Sequence, residues 1–271
     1  MAALLQASWH ALLKSSPDRL SALAGITVVS GIVALSLVPF VSLPAGFVFL
    51  MIGASVMLHL GYKIGLAALY TRADLSQGYP IARGLTPIVA TLVGALTLGE
   101  LPPPPALMGI GLISLGLLVL SREQTTTGLG WGAILSAVLT GLCVAGYSAF
   151  DAYVIRKTGD WLSFTVWLVV CDSTIFLSYT FLRQGREVVL AAWSKQPNII
   201  ILGGSFAVIS FGIVVWALAR APIGMVSALR ETSVLFAAFI GTAVLKERGT
   251  SLRYVAAILV MAGVIAAAAS R

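Results

Sequence analysis

The sequence predicts an all-α integral membrane protein whose ten transmembrane helices form two inverted five-helix repeats. Three observations predict it. Of the 271 residues, 59 % are hydrophobic and only 10 % charged, where a soluble domain carries roughly 25 % charged residues. Residues 20–58, 101–121 and 124–150 hold no Asp, Glu, Lys or Arg at all, and stretches of about 20 apolar residues are what a bilayer core demands. Finally, one segment recurs. IARGLTPIVATLVGALTLGE (81–100) aligns with ALRETSVLFAAFIGTAVLKE (228–247) at a constant offset, placing Arg83 over Arg230, Ala90 over Ala237, Gly94 over Gly241 and Glu100 over Glu247.

Proline, glycine and charge clusters set the elements. A helix near 1–15 ends at KSSPDR, one near 20–40 at FVSLPAG, and one near 45–70 at TRADLSQ. The fourth, 77–99, stops at ELPPPP, where four prolines forbid continuation. The fifth, 104–121, ends at SREQTTTG; the sixth, 129–154, at RKTGD; the seventh, 161–182, enters a longer connection in which REVVLAAW is amphipathic enough to lie along the interface. The last three, 198–219, 224–245 and 252–270, are joined by RAPIG and KERGTS. MAALLQASWHALLK has neither a basic n-region nor a small-residue cleavage site, so its apolar part is expected to be retained.

The repeats are expected over 1–122 and 128–271. An odd number of spans in each half turns the second upside down relative to the first, the arrangement found in secondary transporters with a site near the bilayer midplane. Laying LLKSSPDRL (12–20) over VIRKTGDWL (154–162) extends the correspondence and puts Met1 over Cys143, well inside the sixth helix. The first helix is therefore expected to be short.

Composition excludes several functions. A net charge of +7 would suggest nucleic acid in a soluble protein, but here the basic residues crowd short loops as topology signals. Cys143 and Cys171 fall inside apolar spans and read as small hydrophobes, implying neither disulfide nor metal site. No HExxH, GxSxG or paired aspartates are present, and the histidines are only His10 and His59. This argues against the rival class, an integral-membrane enzyme. A channel would favour rings of like residues. No cofactor and no nucleic-acid partner are implied.

Chemistry is expected from ionisable residues inside the spans: Lys63, Arg83, Asp151, Asp172, Arg230 and Glu231. Each costs about 2.5–3.5 kcal/mol on insertion scales, so they must pair or line a wet cavity. Helical spacing groups them with aromatic neighbours. His59, Tyr62 and Lys63 share a face of the third helix, Tyr79 and Arg83 a face of the fourth, Tyr147 and Asp151 a face of the sixth. Trp216 and Trp9 are candidate cavity walls, the other tryptophans interface anchors. Lys63 and Arg83 lie roughly 10–12 Å below one surface, and Arg230 roughly 10 Å below the other. The alternative is that these ions only pin helices in register, and that His59 is a satisfied interior histidine. Glu100 and Glu247 read as loop-facing, Gly109, Gly111 and Gly116 as close helix packing, and Gly84, Pro87, Pro222 and Gly224 as places where the fourth and ninth helices bend.

ADLSQGYPIARGLTPIVATLVGALTLGELP with ALMGIGLISLGLLVLS, and the second copy ALARAPIGMVSALRETSVLFAAFIGTAVLKERGTSLRYVAAILVMAGVIAAAA, closely resemble the two halves of the drug/metabolite transporter superfamily in its EamA-like branch. The likeness spans nearly the whole chain. Its strongest marks are Glu100 and Glu247 and the glycine-bearing helix after each. The resemblance implies two inverted repeats around a central cavity, with the fifth and tenth helices packed outside. It further implies alternating-access movement of a small metabolite, often export of amino acids or related compounds, in the inner membrane. On that reading Arg83, Arg230 and Lys63 hold an anionic group, while Asp151, Asp172 or Glu231 takes an amine or a coupling proton. The partners are then a small molecule and the lipid bilayer, with the chain acting as monomer or homodimer.

Overall fold

The structure, a computed structural model, describes residues 1–72, 75–122, 130–236 and 251–269. Among these residues it is helical throughout, without strands. The helices are α1 (Ala2–Ser15), α2 (Arg19–Leu37), α3 (Gly46–Arg72), α4 (Leu75–Leu98), α5 (Pro104–Leu120), α6 (Trp131–Thr158), α7 (Trp161–Gln184), α8 (Glu187–Lys195), α9 (Pro197–Leu218), α10 (Ile223–Glu231) and α11 (Ser251–Ala268). Seven of the described helices are long and apolar enough to cross a membrane. The protein is a multi-pass membrane protein. All of REVVLAAW but its arginine lies in the separate helix α8, whose nine residues reach only about 13 Å, too short to span. Residues 237–250, with Glu247 and the end of the helix expected over 224–245, lie outside the described residues.

The chain divides into two compact units, each drawn from two separate stretches of the sequence: 1–60 with 154–219, and 61–153 with 220–271. In the first, α2 packs on α7, α8 and α9, and α1 on α9. Small residues allow the approach. A Cβ on Gly204 would stand 2.5 Å from Val29 Cβ and 2.8 Å from the Ile26 carbonyl, and Ser30 Oγ donates to the Gly204 carbonyl. Two helices of this unit begin alike. Asp18 caps α2 by accepting from the Ser21 N–H, and Asp160 caps α7 by accepting from the Ser163 N–H, satisfying donors that a helix start otherwise leaves orphaned. Hydrogen bonding from Ser21, chiefly, holds the Asp18 carboxyl below its ordinary value. At Asp160 burial works the other way, but hydrogen bonds from Ser163 and Ser42 together outweigh it and the carboxyl is again lowered. Arg156 Nε donates to the Leu218 carbonyl at the end of α9, where a cation complements the helix dipole.

In the second unit α5 and α11 lie backbone to backbone. A Cβ on Gly109 would meet the Gly263 carbonyl at 2.5 Å, and one on Gly116 the Ala256 carbonyl at 2.9 Å. The buried stripes Gly109–Ile113–Gly116 and Ala256–Val260–Gly263–Ala267 carry this contact at helical spacing. Gly111 departs from the expectation: it is exposed, with nothing within 4 Å of its would-be Cβ, because two residues from Gly109 is the opposite side of the helix. Gly84 packs α4 against Ser114 and Leu117 of α5, so this glycine serves contact in addition to any bending.

Candidate functional site

Three charged side chains of the second unit converge. Arg83 sits on α4 four residues before Pro87, whose missing N–H leaves the Arg83 carbonyl without its helical donor and loosens the turn. Glu231 is the last residue of α10 and Arg230 the one before it. After Glu231 the backbone tightens: the Thr232 N–H bonds the Leu229 carbonyl at 3.3 Å and its hydroxyl donates to the same carbonyl at 2.7 Å. Residues 233–236 are helical again. The helix expected to run unbroken from 224 to 245 is thus interrupted beside its charged pair, by the local side-chain bonding through which Ser and Thr compete with a helix.

The start of α10 is fixed from α4. Glu100 Oε2 accepts from the Ile223 N–H at 3.2 Å, putting a carboxylate at the positive end of the helix. Gly94 faces the Ile223 side chain, and Gly224 lies so close to Thr91 that no Cβ would fit. Glu100, in the connection between α4 and α5, therefore caps α10, and Pro222 is the N-cap residue of α10 and not an interior hinge.

So positioned, Arg83 Nε lies 2.6 Å from Glu231 Oε2, with the two side chains 3 % and 0 % exposed. This is a charge–charge contact, not an aligned hydrogen bond. Arg230 Nε is 3.7 Å from Glu231 Oε1, its side chain 6 % exposed. Its guanidinium carbon stands 6.0 Å from the Tyr147 ring centroid, the outer reach of a cation–π contact. Tyr147 in turn meets Tyr62 edge to face at 6.1 Å. Ala228, three residues before Glu231, and Val234, three after it, pack with Ile110, Ile113, Leu117 and Val260 in a buried apolar core. Charges there are screened little by solvent.

The remaining expected residues fall as follows. Lys63 follows Tyr62 on α3 and is partly buried; Asp151 lies one turn beyond Tyr147 on α6 and is buried. Both belong to the same unit as the cluster. Tyr79 lies on α4, its side chain outside the described residues. His59, Asp172 and Trp216 belong to the other unit. His59 is buried edge-on against Phe211 at 5.6 Å, Asp172 is partly buried on α7, and Trp216 on α9 is 45 % exposed. Trp9 stacks on His10 at 3.7 Å. Two contributors escaped the sequence reading, Glu100 as a cap and Thr91 as the surface on which α10 rests. A glutamate ending an apolar helix was the available signal for the first.

The EamA-like transporter family matches residues 131–268, more than half of the chain. The chain belongs to this family. A curated relative, the uncharacterized transporter YwfM of Bacillus subtilis (strain 168), is 32 % identical over 125 residues, which cover 43 % of this chain and 41 % of the relative. The match thus spans about two fifths of that relative's length. A solved structure, titled only as the crystal structure of a protein, superposes with a TM-score of 0.75. It covers 98 % of this chain and 93 % of its own at 17 % identity, a likeness that speaks for the fold alone. The EamA family match includes Tyr147, Asp151, Asp172, Trp216, Arg230 and Glu231 but not Arg83.

Proposed function

We propose that the protein is a secondary transporter that moves a small polar metabolite, amino acid-like or an organic anion, across the cell's inner membrane by alternating access. Ten membrane helices in two inverted repeats, 1–122 and 128–271, form the scaffold of this reading. One observation carries it: Arg83 from the first half of the chain and Arg230 from the second, equivalent under the internal offset, approach the same buried carboxylate, Glu231. Two guanidinium groups on one carboxylate leave a surplus positive charge. A second guanidinium in the same apolar surroundings is costly unless another ligand visits it.

Membership in a transporter family favours this over an integral-membrane enzyme. Asp151, Asp172 and Glu231 are the groups through which a proton gradient would drive the cycle, and export is the direction the resemblance favours. The test begins with a thermal-shift screen of amino acids, organic acids, phosphonates and small cations on purified protein. Uptake of the labelled hit is then followed in proteoliposomes loaded with unlabelled compound. Arg83→Ala and Arg230→Ala are expected to abolish this exchange while the protein stays folded. Normal exchange in both variants would remove the arginines from the site.

A further inference from the structure

Resting on that reading of the site, we infer that Arg83 and Glu231 neutralise each other, and that Arg230 alone is the binding residue for a single monovalent anion of the carboxylate class. The two arginines match in sequence but not in surroundings. Arg83 stands in close ion contact with Glu231, whereas Arg230 is 3.7 Å from the other oxygen of that carboxylate, beyond hydrogen-bond reach. Arg230 Nε and Nη2 are buried and have no hydrogen-bond partner among the described residues, which native interiors rarely tolerate without a ligand or water to take the bonds.

Charge counting agrees. In the cluster itself Arg83 and Arg230 are positive and Glu231 negative, leaving one unit of positive charge. One monoanion brings the set to neutrality. A dianion would leave a net negative charge in an apolar interior, and a cation would double the surplus. The Tyr147 ring beside the Arg230 guanidinium and Tyr62 against that ring give the anion's apolar part an aromatic wall, while the carboxylate takes the planar Arg fork.

The inference assigns Arg83 an indirect role. Remove Arg83, and Glu231 is free to close on Arg230 and occupy it; remove Glu231 as well, and Arg230 is available again. The experiment measures thermal stabilisation of purified protein by butyrate, succinate and butylammonium, three probes of one chain length carrying charges of −1, −2 and +1. Wild type is expected to respond to butyrate more than to succinate, and not to butylammonium. Arg230→Gln and Arg83→Gln should each weaken butyrate binding on the order of 10- to 100-fold. The double variant R83Q/E231Q should recover it to within a few-fold of wild type. Should Arg83→Gln alone fail to fold, R83Q/E231Q against R83Q/R230Q/E231Q decides the matter, the first binding and the second not. Butyrate binding that survives Arg230→Gln, a double variant that folds without recovering it, or a wild type indifferent to butyrate overturns the inference. Binding without exchange in proteoliposomes would leave this assignment standing and defeat the transporter reading. Exchange of a cation that ignores Arg230→Gln would do the reverse.

Discussion

Replacing Glu231 with glutamine removes one charge from a place where two guanidinium groups meet it. At 2.6 Å, and with an effective dielectric near 20, the Arg83–Glu231 attraction is worth about 6 kcal/mol, offset by a desolvation cost of several kcal/mol per ion. The net worth of such a pair is small. Leaving one member alone is not, and costs about 3–5 kcal/mol, a large share of the roughly 5–15 kcal/mol that holds a domain together. Glu231→Gln should therefore lower stability by about 3–5 kcal/mol, and Arg83→Gln by less, because Glu231 can then close on Arg230. The double variant should cost less than the sum of the two, with a coupling energy toward the upper end of about 0.5–3 kcal/mol. Unfolding by SDS in mixed micelles, followed by circular dichroism for all four proteins, gives the cycle. Single variants within about 0.5 kcal/mol of wild type, or costs that simply add, would refute the claim that these groups form a buried pair.

Two further predictions concern the frame around the site. Gly263→Leu drives a side chain into the backbone of α5, since even its Cβ would lie 2.6 Å from the Gly109 carbonyl; a loss of about 1–3 kcal/mol is expected, whereas Gly111→Leu, facing open space, should be within about 0.5 kcal/mol of wild type in the same assay. The caps Asp18 and Asp160 titrate lower folded than unfolded, so their stabilisation is present above the ordinary carboxyl value of 3.8 and is lost as pH falls through the folded value. Asp160→Ala should cost about 0.5–2 kcal/mol near neutral pH, and the gap from wild type should narrow below about pH 4; a gap that does not change with pH would mean that the carboxylate charge plays no part.

The helices were legible because their boundaries are written in prolines, glycines and charges, and a stretch such as 20–58 without one ionisable residue admits few alternatives. The site was legible in part. Helical spacing put Tyr147 with Asp151 and Tyr62 with Lys63, and the repeat tied Arg83 to Arg230. What spacing cannot supply is which side chains on different helices meet. That Arg83 takes Glu231 while Arg230 rests over Tyr147 depends on how α4, α6 and α10 pack, and the symmetry of the sequence hid the asymmetry of their surroundings. The capping role of Glu100 was hidden for the same reason. Its acceptor role is toward a backbone N–H more than a hundred residues away, which leaves no local trace. Gly109 and Gly111 look alike in sequence, and only the presence of α11 on one side separates them. The interruption at Thr232 lay within reach, since threonine hydroxyls often bond back to a carbonyl one turn earlier.

Exchange of labelled butyrate in proteoliposomes, compared among wild type, Arg230→Gln and R83Q/E231Q, tests the central claim most directly. The account predicts saturable exchange for wild type and for the pair-deleted variant, and none for Arg230→Gln. Exchange by Arg230→Gln at the wild-type rate would contradict it.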